Sequence, residues 1–310
     1  MTTTTIISAI LTLISGIGIF LIACKMMSDN LEAASSNKLK QLFSKASGSK
    51  WLGVGIGTLG TAAIQSSGAT TVMVIGFVNA GIISLAQAAT IIYGANIGTT
   101  VTAQIVALGM FGSNSISTTI IFSAFAGIGA MVSLFGKKAK TKTIGGILAG
   151  FGMLFVGLSM MSSSMSDFAA LDSVKMFLAQ IGNPILLVVI GAILTAIIQS
   201  SSVMTSIAIA MVVTGLINLD QGIFLTMGSN IGSCVVAIIA SISGSKNAKR
   251  TALIHLIFNI SGVVLFLVAE GIISLATKGN ITYGTMFASL FPSAPQTQLA
   301  MFHTVFNVIT

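Results

Sequence analysis

The sequence predicts an all-α integral membrane protein built from two inverted repeats, each with a re-entrant helical hairpin followed by a broken transmembrane helix. Three observations carry this. The 310 residues are 54% hydrophobic and 6% charged, with a mean hydropathy of +1.02, whereas soluble domains carry about 25% charged residues. An offset of 134 residues superimposes one half of the chain on the other without a gap. The basic residues gather in short loops between apolar runs, where they act as topology signals. The formal charge of +8 therefore does not point to a nucleic-acid partner. A helical bundle is favoured over a β-barrel, whose strands would be about 10 residues long and would alternate apolar with polar.

The elements follow in order. Residues 6–27 form the first crossing. "LIAC" (Leu21 to Cys24) resembles a lipoprotein cleavage box, but residues 1–20 contain no Lys or Arg, and a signal peptide needs a positive n-region. Residues 25–50 carry five lysines against Asp29 and Glu32, a net +3, and are assigned to the cytoplasm. A hairpin spans 51–80, with crossings at 82–110 and 116–135 joined by an uncharged loop near residue 113. Lys137, Lys138, Lys140 and Lys142 mark the next cytoplasmic loop.

The second copy then runs the other way: a crossing at 144–165, a hairpin at 183–217, and crossings at 221–243 and 251–274. A last apolar stretch starts at 285. Residues 159–184, equivalent to 25–50, carry only Lys175 against Asp167 and Asp172, a net −1, and so fall outside. Lys246, Lys249 and Arg250 return to the cytoplasm. The two repeats are thus 1–135 and 136–310, with the N-terminus outside. Cys24 and Cys234 lie in apolar surroundings far apart and give no disulfide framework.

The match between the halves is strongest where it is polar. Gly16, Gly18, Met26, Met27 and Ser28 align with Gly150, Gly152, Met160, Met161 and Ser162. Gln65, Ser66 and Ser67 align with Gln199, Ser200 and Ser201, and "GANIG" (Gly94 to Gly98) with "GSNIG" (Gly228 to Gly232). Each hairpin arm has about 14 residues, or about 21 Å, short of the ~30 Å hydrocarbon thickness, so the arms should enter and turn back at the Gln-Ser-Ser. Non-helical backbone at that depth persists only inside protein or beside a wet cavity. Broken helices from both sides meeting at one place is the plan of a secondary transporter.

The polar groups define the ligand chemistry. A helix restarting after Ser66 and Ser67, or after Ser200 to Ser202, offers free backbone N–H groups and its positive dipole end to an anion. Oxygens of Gln65, Gln199, Asn96, Asn230, Thr99 and Thr100 are hard ligands suited to an alkali cation. The six acidic residues, Asp29, Glu32, Asp167, Asp172, Asp220 and Glu270, fall in loops or at crossing ends, and no Lys or Arg sits mid-membrane. An anion there would be neutralised by helix ends and co-bound cations.

The paired "QSS" segments, each followed by G-[AS]-N-I-G, the openings "GIGIFLIACKMM" and "GFGMLFVGLSMM", and the later "HLIFN" (His255 to Asn259) and "HTVFN" (His303 to Asn307) resemble the type II sodium-dependent phosphate cotransporter family, bacterial members included. The resemblance covers nearly the whole chain. It implies sodium-coupled symport of inorganic phosphate into the cell by alternating access, across the plasma membrane, with no cofactor beyond sodium as coupling ion, and it admits a homodimer. Carried over, Ser66, Ser67, Ser200, Ser201 and Ser202 would hold phosphate. Gln65, Gln199, Asn96, Asn230, Thr99, Thr100, Thr71, Thr205 and Ser233 would form the sodium sites.

Two positions depart from symmetry. Gly68 stands where the second copy has Ser202, which makes the second tip the richer hydroxyl donor, and Cys234 replaces the hydroxyl of Thr100. Three alternatives stay open: another oxyanion such as sulfate or arsenate as cargo, a phosphate-sensing membrane protein, or an intramembrane serine hydrolase. The hydrolase is disfavoured because the mid-membrane segments offer no carboxylate base and no G-x-S-x-G elbow. His255 and His303 have no carboxylate or Cys at metal-ligand spacing and read as structural.

Overall fold

The computed structural model describes residues 3–44, 49–110 and 118–310, with the backbone alone for 35–44. The described residues form thirteen α-helices and no strand: α1 (Thr3–Ser44), α2 (Lys50–Ile64), α3 (Ser67–Asn79), α4 (Leu85–Gly109), α5 (Thr118–Phe135), α6 (Ala139–Ala169), α7 (Asp172–Gln180), α8 (Pro184–Ile198), α9 (Ser201–Val213), α10 (Leu219–Ser241), α11 (Lys246–Ala276), α12 (Tyr283–Leu290) and α13 (Pro295–Ile309). Six of them, α1, α4, α5, α6, α10 and α11, are long and apolar enough to cross a membrane. Large apolar side chains such as Leu11, Trp51, Leu134, Ile197 and Leu275 lie exposed on the helices, as expected where the outer solvent is lipid. This is a multi-pass membrane protein.

The offset of 134 reappears in the packing. In the first half, Gly57 meets the backbone of Ile91, Gly94 that of Val54 and Gly98 that of Thr58. In the second, Gly191 meets Leu225, Gly228 meets Val188 and Gly232 meets Ala192. Each contact is the other shifted by the repeat, and each lets α2 lie on α4, or α8 on α10, at backbone distance, which is how small residues join membrane helices. The equivalent helices α1 and α6 pack on one another reciprocally: Gly16 lies against Gly157, and Gly150 against Ala23. Phe20, Leu154, Leu158 and Met161 on these two helices are fully buried.

Several expectations need correction. The breaks expected within 82–110 and 221–243 do not form; α4 and α10 run unbroken through both Asn-Ile-Gly segments. Their glycines are packing points, and their hydroxyls other than that of Thr99 bond back to their own helix: Thr100 Oγ1 donates to Ile97 O at 2.7 Å, Ser229 Oγ to Thr226 O and Ser233 Oγ to Asn230 O, both at 2.7 Å. Ser84 and Asn218, each with a Gln three residues on, start these helices with capping boxes.

The first crossing does not end at 27. No Gly or Pro occurs from Ile19 to Ser47, so α1 continues to Ser44 and places Lys25, Asp29 and Glu32 on a helix instead of in a loop. The stretch from 285 is two short helices, α12 and α13, and not one span. Asp220 accepts from Gly284 N at 2.7 Å and from Thr282 Oγ1 at 2.9 Å, while Glu270 accepts from Tyr283 N at 3.1 Å. Two carboxylates thus hold the N-terminal end of α12, where the helix dipole favours them. Between α6 and α8 the chain forms α7, which meets α8 at a bend of 110°. The loop near residue 113 and the side chains of Lys38, Lys40 and Lys45 lie outside the described residues.

The second arm of each Gln-Ser-Ser element crosses to the other half: α3 packs on α10 as well as α4, and α9 on α4 as well as α10. The C-terminal helices complete the exchange. α11 lies chiefly on α10 and also on α4, whereas α13 lies chiefly on α4 and also on α10.

Candidate functional site

The helix α2 ends at Gln65 and α3 begins at Ser67; α8 ends at Gln199 and α9 begins at Ser201. Both glutamines adopt the left-handed conformation, Gln65 at φ 58 and ψ 27, Gln199 at φ 60 and ψ 23. Ordinary L-residues avoid this region by roughly 1–2 kcal/mol, and glycine is the usual helix-ending residue there. Glutamine at both tips therefore keeps a side chain where backbone energetics favour none. The backbone N–H of each still closes the helix, donating to Thr61 O at 2.7 Å and to Thr195 O at 2.6 Å.

Ser66 and Ser200 are the N-caps of α3 and α9. Their backbones are extended, and their hydroxyls accept from Ala69 N at 3.1 Å and Val203 N at 3.4 Å. This satisfies one of the orphan donors of each first turn. The N–H groups of Ser67 and Gly68, and of Ser201 and Ser202, have no intrahelical acceptor by construction. With the hydroxyls of Ser67, Ser201 and Ser202 they form two donor sets, each at the positive end of a helix dipole.

Both sets line one cavity of about 480 Å³, whose walls include Gln65 to Ala69 and Ile198 to Val203. Of the residues proposed from sequence, Gln65, Ser66, Ser67, Gln199, Ser200, Ser201, Ser202 and Ser233 reach this cavity. Asn96, Asn230, Thr71, Thr99, Thr100 and Thr205 do not; they are buried behind the tips, none more than 6% exposed. The hydroxyls of Thr71, Thr99 and Thr205 have no hydrogen-bond partner among the described residues. Buried polar atoms are nearly always satisfied, so three orphaned oxygens beside two cavity-lining tips fit a group such as a cation.

The two tips are equivalent but not equal. Gln65 Nε2 donates to Ala62 O at 2.6 Å, and Gln65 Oε1 accepts from Thr102 Oγ1 at 3.0 Å. Gln199 is exposed to the cavity and no such bond ties its side chain. The offset explains this, because Val236 stands where Thr102 does in the first half. Likewise Thr61 Oγ1 donates to Thr70 Oγ1 at 3.0 Å, whereas Thr195 is orphaned because Met204 replaces the second threonine.

Sequence reasoning missed the wall contributed by α1. Leu21, Cys24, Lys25, Ser28, Asp29 and Glu32 line the same cavity, with Lys25 and Asp29 paired at 2.9 Å and both largely exposed. Their counterparts in the second half are Ser159, Ser163 and Ser166 for Lys25, Asp29 and Glu32. Among the described residues the cavity is therefore charged along α1 only. The i, i+4 spacing of Lys25 and Asp29 was the available signal, and reading the segment as a loop hid it. Thr102, three residues beyond Thr99 on α4, was likewise legible only as one more hydroxyl.

Comparison with known proteins gives the family. The profile described as Na+/Pi-cotransporter matches residues 19–163 and again 160–292. The uncharacterized protein YqeW of Bacillus subtilis (strain 168) is 32% identical over 251 residues, which are 81% of this chain and 75% of that protein. The putative inorganic phosphate export protein YjbB of Escherichia coli O157:H7 is 25% identical over 302 residues, 97% of this chain but 52% of that protein, so the chain spans about half its length. The human sodium-dependent phosphate transport protein 2B is 42% identical over a segment of 85 residues, 26% of this chain and 12% of that protein. No solved structure matches. With the profile matched twice in tandem, once in each half around a Gln-Ser-Ser tip, the chain belongs to the Na+/Pi-cotransporter family.

Proposed function

We propose that the protein moves inorganic phosphate across the plasma membrane by symport with sodium, inward, by alternating access. The observation that carries this is the meeting of two serine-rich helix N-termini, one from each half, in one cavity of about 480 Å³. Phosphate accepts from the free N–H groups and from Ser67, Ser201 and Ser202, while Ser66 and Ser200 fix the turns that aim them. Among the described residues no lysine or arginine other than Lys25 lines the cavity, so helix dipoles and co-bound sodium balance the anion. Oxygens of Gln65, Gln199, Asn96, Asn230, Thr71, Thr99, Thr100, Thr205 and Ser233 hold the sodium ions.

In this reading 1–135 and 136–310 are inverted repeats, α2–α3 and α8–α9 are re-entrant hairpins, and the N-terminus lies outside. The short arms support re-entry: 15 residues in α2 and 13 in α3 reach only about 20 Å each. Under the positive-inside rule the α1 end that lines the cavity is cytoplasmic, so the cavity opens inward. Uptake of radiolabelled phosphate into proteoliposomes tests the proposal, with an inward sodium gradient against a matched potassium one, for wild type and for Ser201→Ala/Ser202→Ala. Sodium-dependent uptake lost in the double variant supports it; equal uptake in both gradients refutes the coupling.

A second reading of direction comes from the name of YjbB, an inorganic phosphate export protein. A coupled carrier runs either way according to its gradients, so efflux from loaded proteoliposomes under an outward sodium gradient belongs to the same mechanism. Efflux that ignores sodium would favour export by another route. The same donors suit any tetrahedral oxyanion, and competition by sulfate and arsenate in the uptake assay ranks the cargo.

A further inference from the structure

The two His-x3-Asn segments, His255 to Asn259 on α11 and His303 to Asn307 on α13, are 48 residues apart and so are not products of the 134-residue duplication. They nevertheless serve equivalent residues. Asn96 Nδ2 donates to Asn259 Oδ1 at 3.0 Å, and Asn230 Nδ2 donates to Asn307 Oδ1 at 2.7 Å. Asn96 and Asn230 are partners under the repeat offset, and all four asparagines are buried.

The polarity of each bond is fixed from behind. Asn259 Nδ2 donates to His255 O at 2.9 Å, and Asn307 Nδ2 to His303 O at 2.8 Å. A backbone carbonyl can only accept, so the NH2 of Asn259 and of Asn307 must face its own helix. Each then presents Oδ1 to the neighbouring asparagine, which must answer with its own NH2. The carbonyl oxygens of Asn96 and Asn230 are thereby turned away from the side-chain amides of Asn259 and Asn307. Beside the first, His255 Nε2 lies 3.3 Å from Asn96 Oδ1. Beside the second, neither ring nitrogen of the fully buried His303 has a partner among the described residues.

From this geometry we infer that Asn259 and Asn307, with His255, are positioning residues that hold the amides of Asn96 and Asn230 in the one orientation that offers a carbonyl oxygen to sodium. The inference rests on the sodium-coupled reading. Without the clamp an asparagine amide can turn by half a revolution and present NH2, which repels a cation. Partners that orient a metal ligand in this way typically contribute 10–100-fold in affinity. The clamps also explain why α13, which lies outside the duplication, packs on α4 and α10 as α11 packs on α10 and α4.

The test reads sodium binding directly, as the sodium-dependent rise in thermal stability of the purified full-length protein. Asn259→Leu and Asn307→Leu should raise the sodium concentration needed for half the effect by roughly tenfold or more. Phosphate half-saturation at saturating sodium should stay unchanged. His255→Gln, which keeps a donor near the Nε2 position, should behave as wild type, and His255→Leu should shift with Asn259→Leu. Should either leucine variant fail to fold, Asn259→Ser and Asn307→Ser remove the same acceptor geometry without bulk. Unaltered sodium affinity in the Asn variants overturns the inference, as does a parallel loss of sodium and phosphate affinity, which marks a purely structural role. A wild type with no sodium-dependent stabilisation overturns the coupling reading first, and this inference with it.

Discussion

Replacing each tip glutamine by glycine separates what the side chain does for folding from what it does for transport. Both residues sit in the left-handed region, at φ 58 and φ 60, and glycine there relieves roughly 1 kcal/mol of strain. At Gln199 nothing opposes that gain except the extra freedom of glycine in the unfolded chain, roughly 0.5–1 kcal/mol. Gln199→Gly should thus be neutral or slightly stabilising. At Gln65 the change also removes the bonds to Ala62 O and from Thr102 Oγ1, each worth about 1 kcal/mol net, and strands a threonine hydroxyl that is 2% exposed. Gln65→Gly should therefore be less stable than Gln199→Gly by about 2 kcal/mol. Thermal unfolding in detergent measures the difference, and sodium-driven phosphate uptake into proteoliposomes measures the function, which both variants should lose. The reasoning fails if Gln199→Gly is as destabilised as Gln65→Gly, or if it transports at the wild-type rate.

Two further outcomes follow from the same contacts. A Cβ at Gly68 would meet its nearest neighbour, Val236 Cγ1, at an ordinary 3.6 Å, so Gly68→Ser should fold normally and give the first tip the third serine of the second; phosphate affinity in the uptake assay should rise, and a variant that misfolds would contradict the packing described. A side chain at Gly94 would drive into the backbone of Val54 and Thr58, so Gly94→Leu should separate α2 from α4 at a cost of roughly 3 kcal/mol or more, read as loss of monodisperse protein after extraction, whereas normal yield and midpoint would show that these helices do not touch.

The repeat was the most legible feature because it is written in polar letters. Gln, Ser, Asn and Gly in register at an offset of 134 marked both tips, and with the family resemblance they supplied the polar residues of the cavity wall outside α1. What the sequence obscured was the role of local breakers. Gly94, Gly98, Gly228 and Gly232 read as interruptions, yet each sits where a neighbouring helix comes to backbone distance, and the hydroxyls of Thr100, Ser229 and Ser233 close on their own helix. Glycine in a membrane helix has two uses, and only the partner surface says which applies. The charged run after Cys24 was misread for the opposite reason. Charge suggested a loop, but a segment without Gly or Pro keeps its helix, and the same charges became the wall of a cavity.

The asymmetry of that wall bears on direction. A carrier made of two equivalent halves would present similar entrances on its two sides, and any preference would come from gradients alone. Here the α1 wall carries Lys25, Asp29 and Glu32, and the α6 positions related by the repeat carry Ser159, Ser163 and Ser166. Among the described side chains one lysine stands against two carboxylates, a net negative wall that attracts cations over anions. If the mouth is cytoplasmic, sodium is least abundant on the side where attraction is strongest. Under the proposed sodium-coupled uptake, the acids there aid reoccupation after release and brake uptake as internal sodium rises. In the proposed function the two tips take cargo from either side, and the first helix, outside both tips, makes the two sides differ.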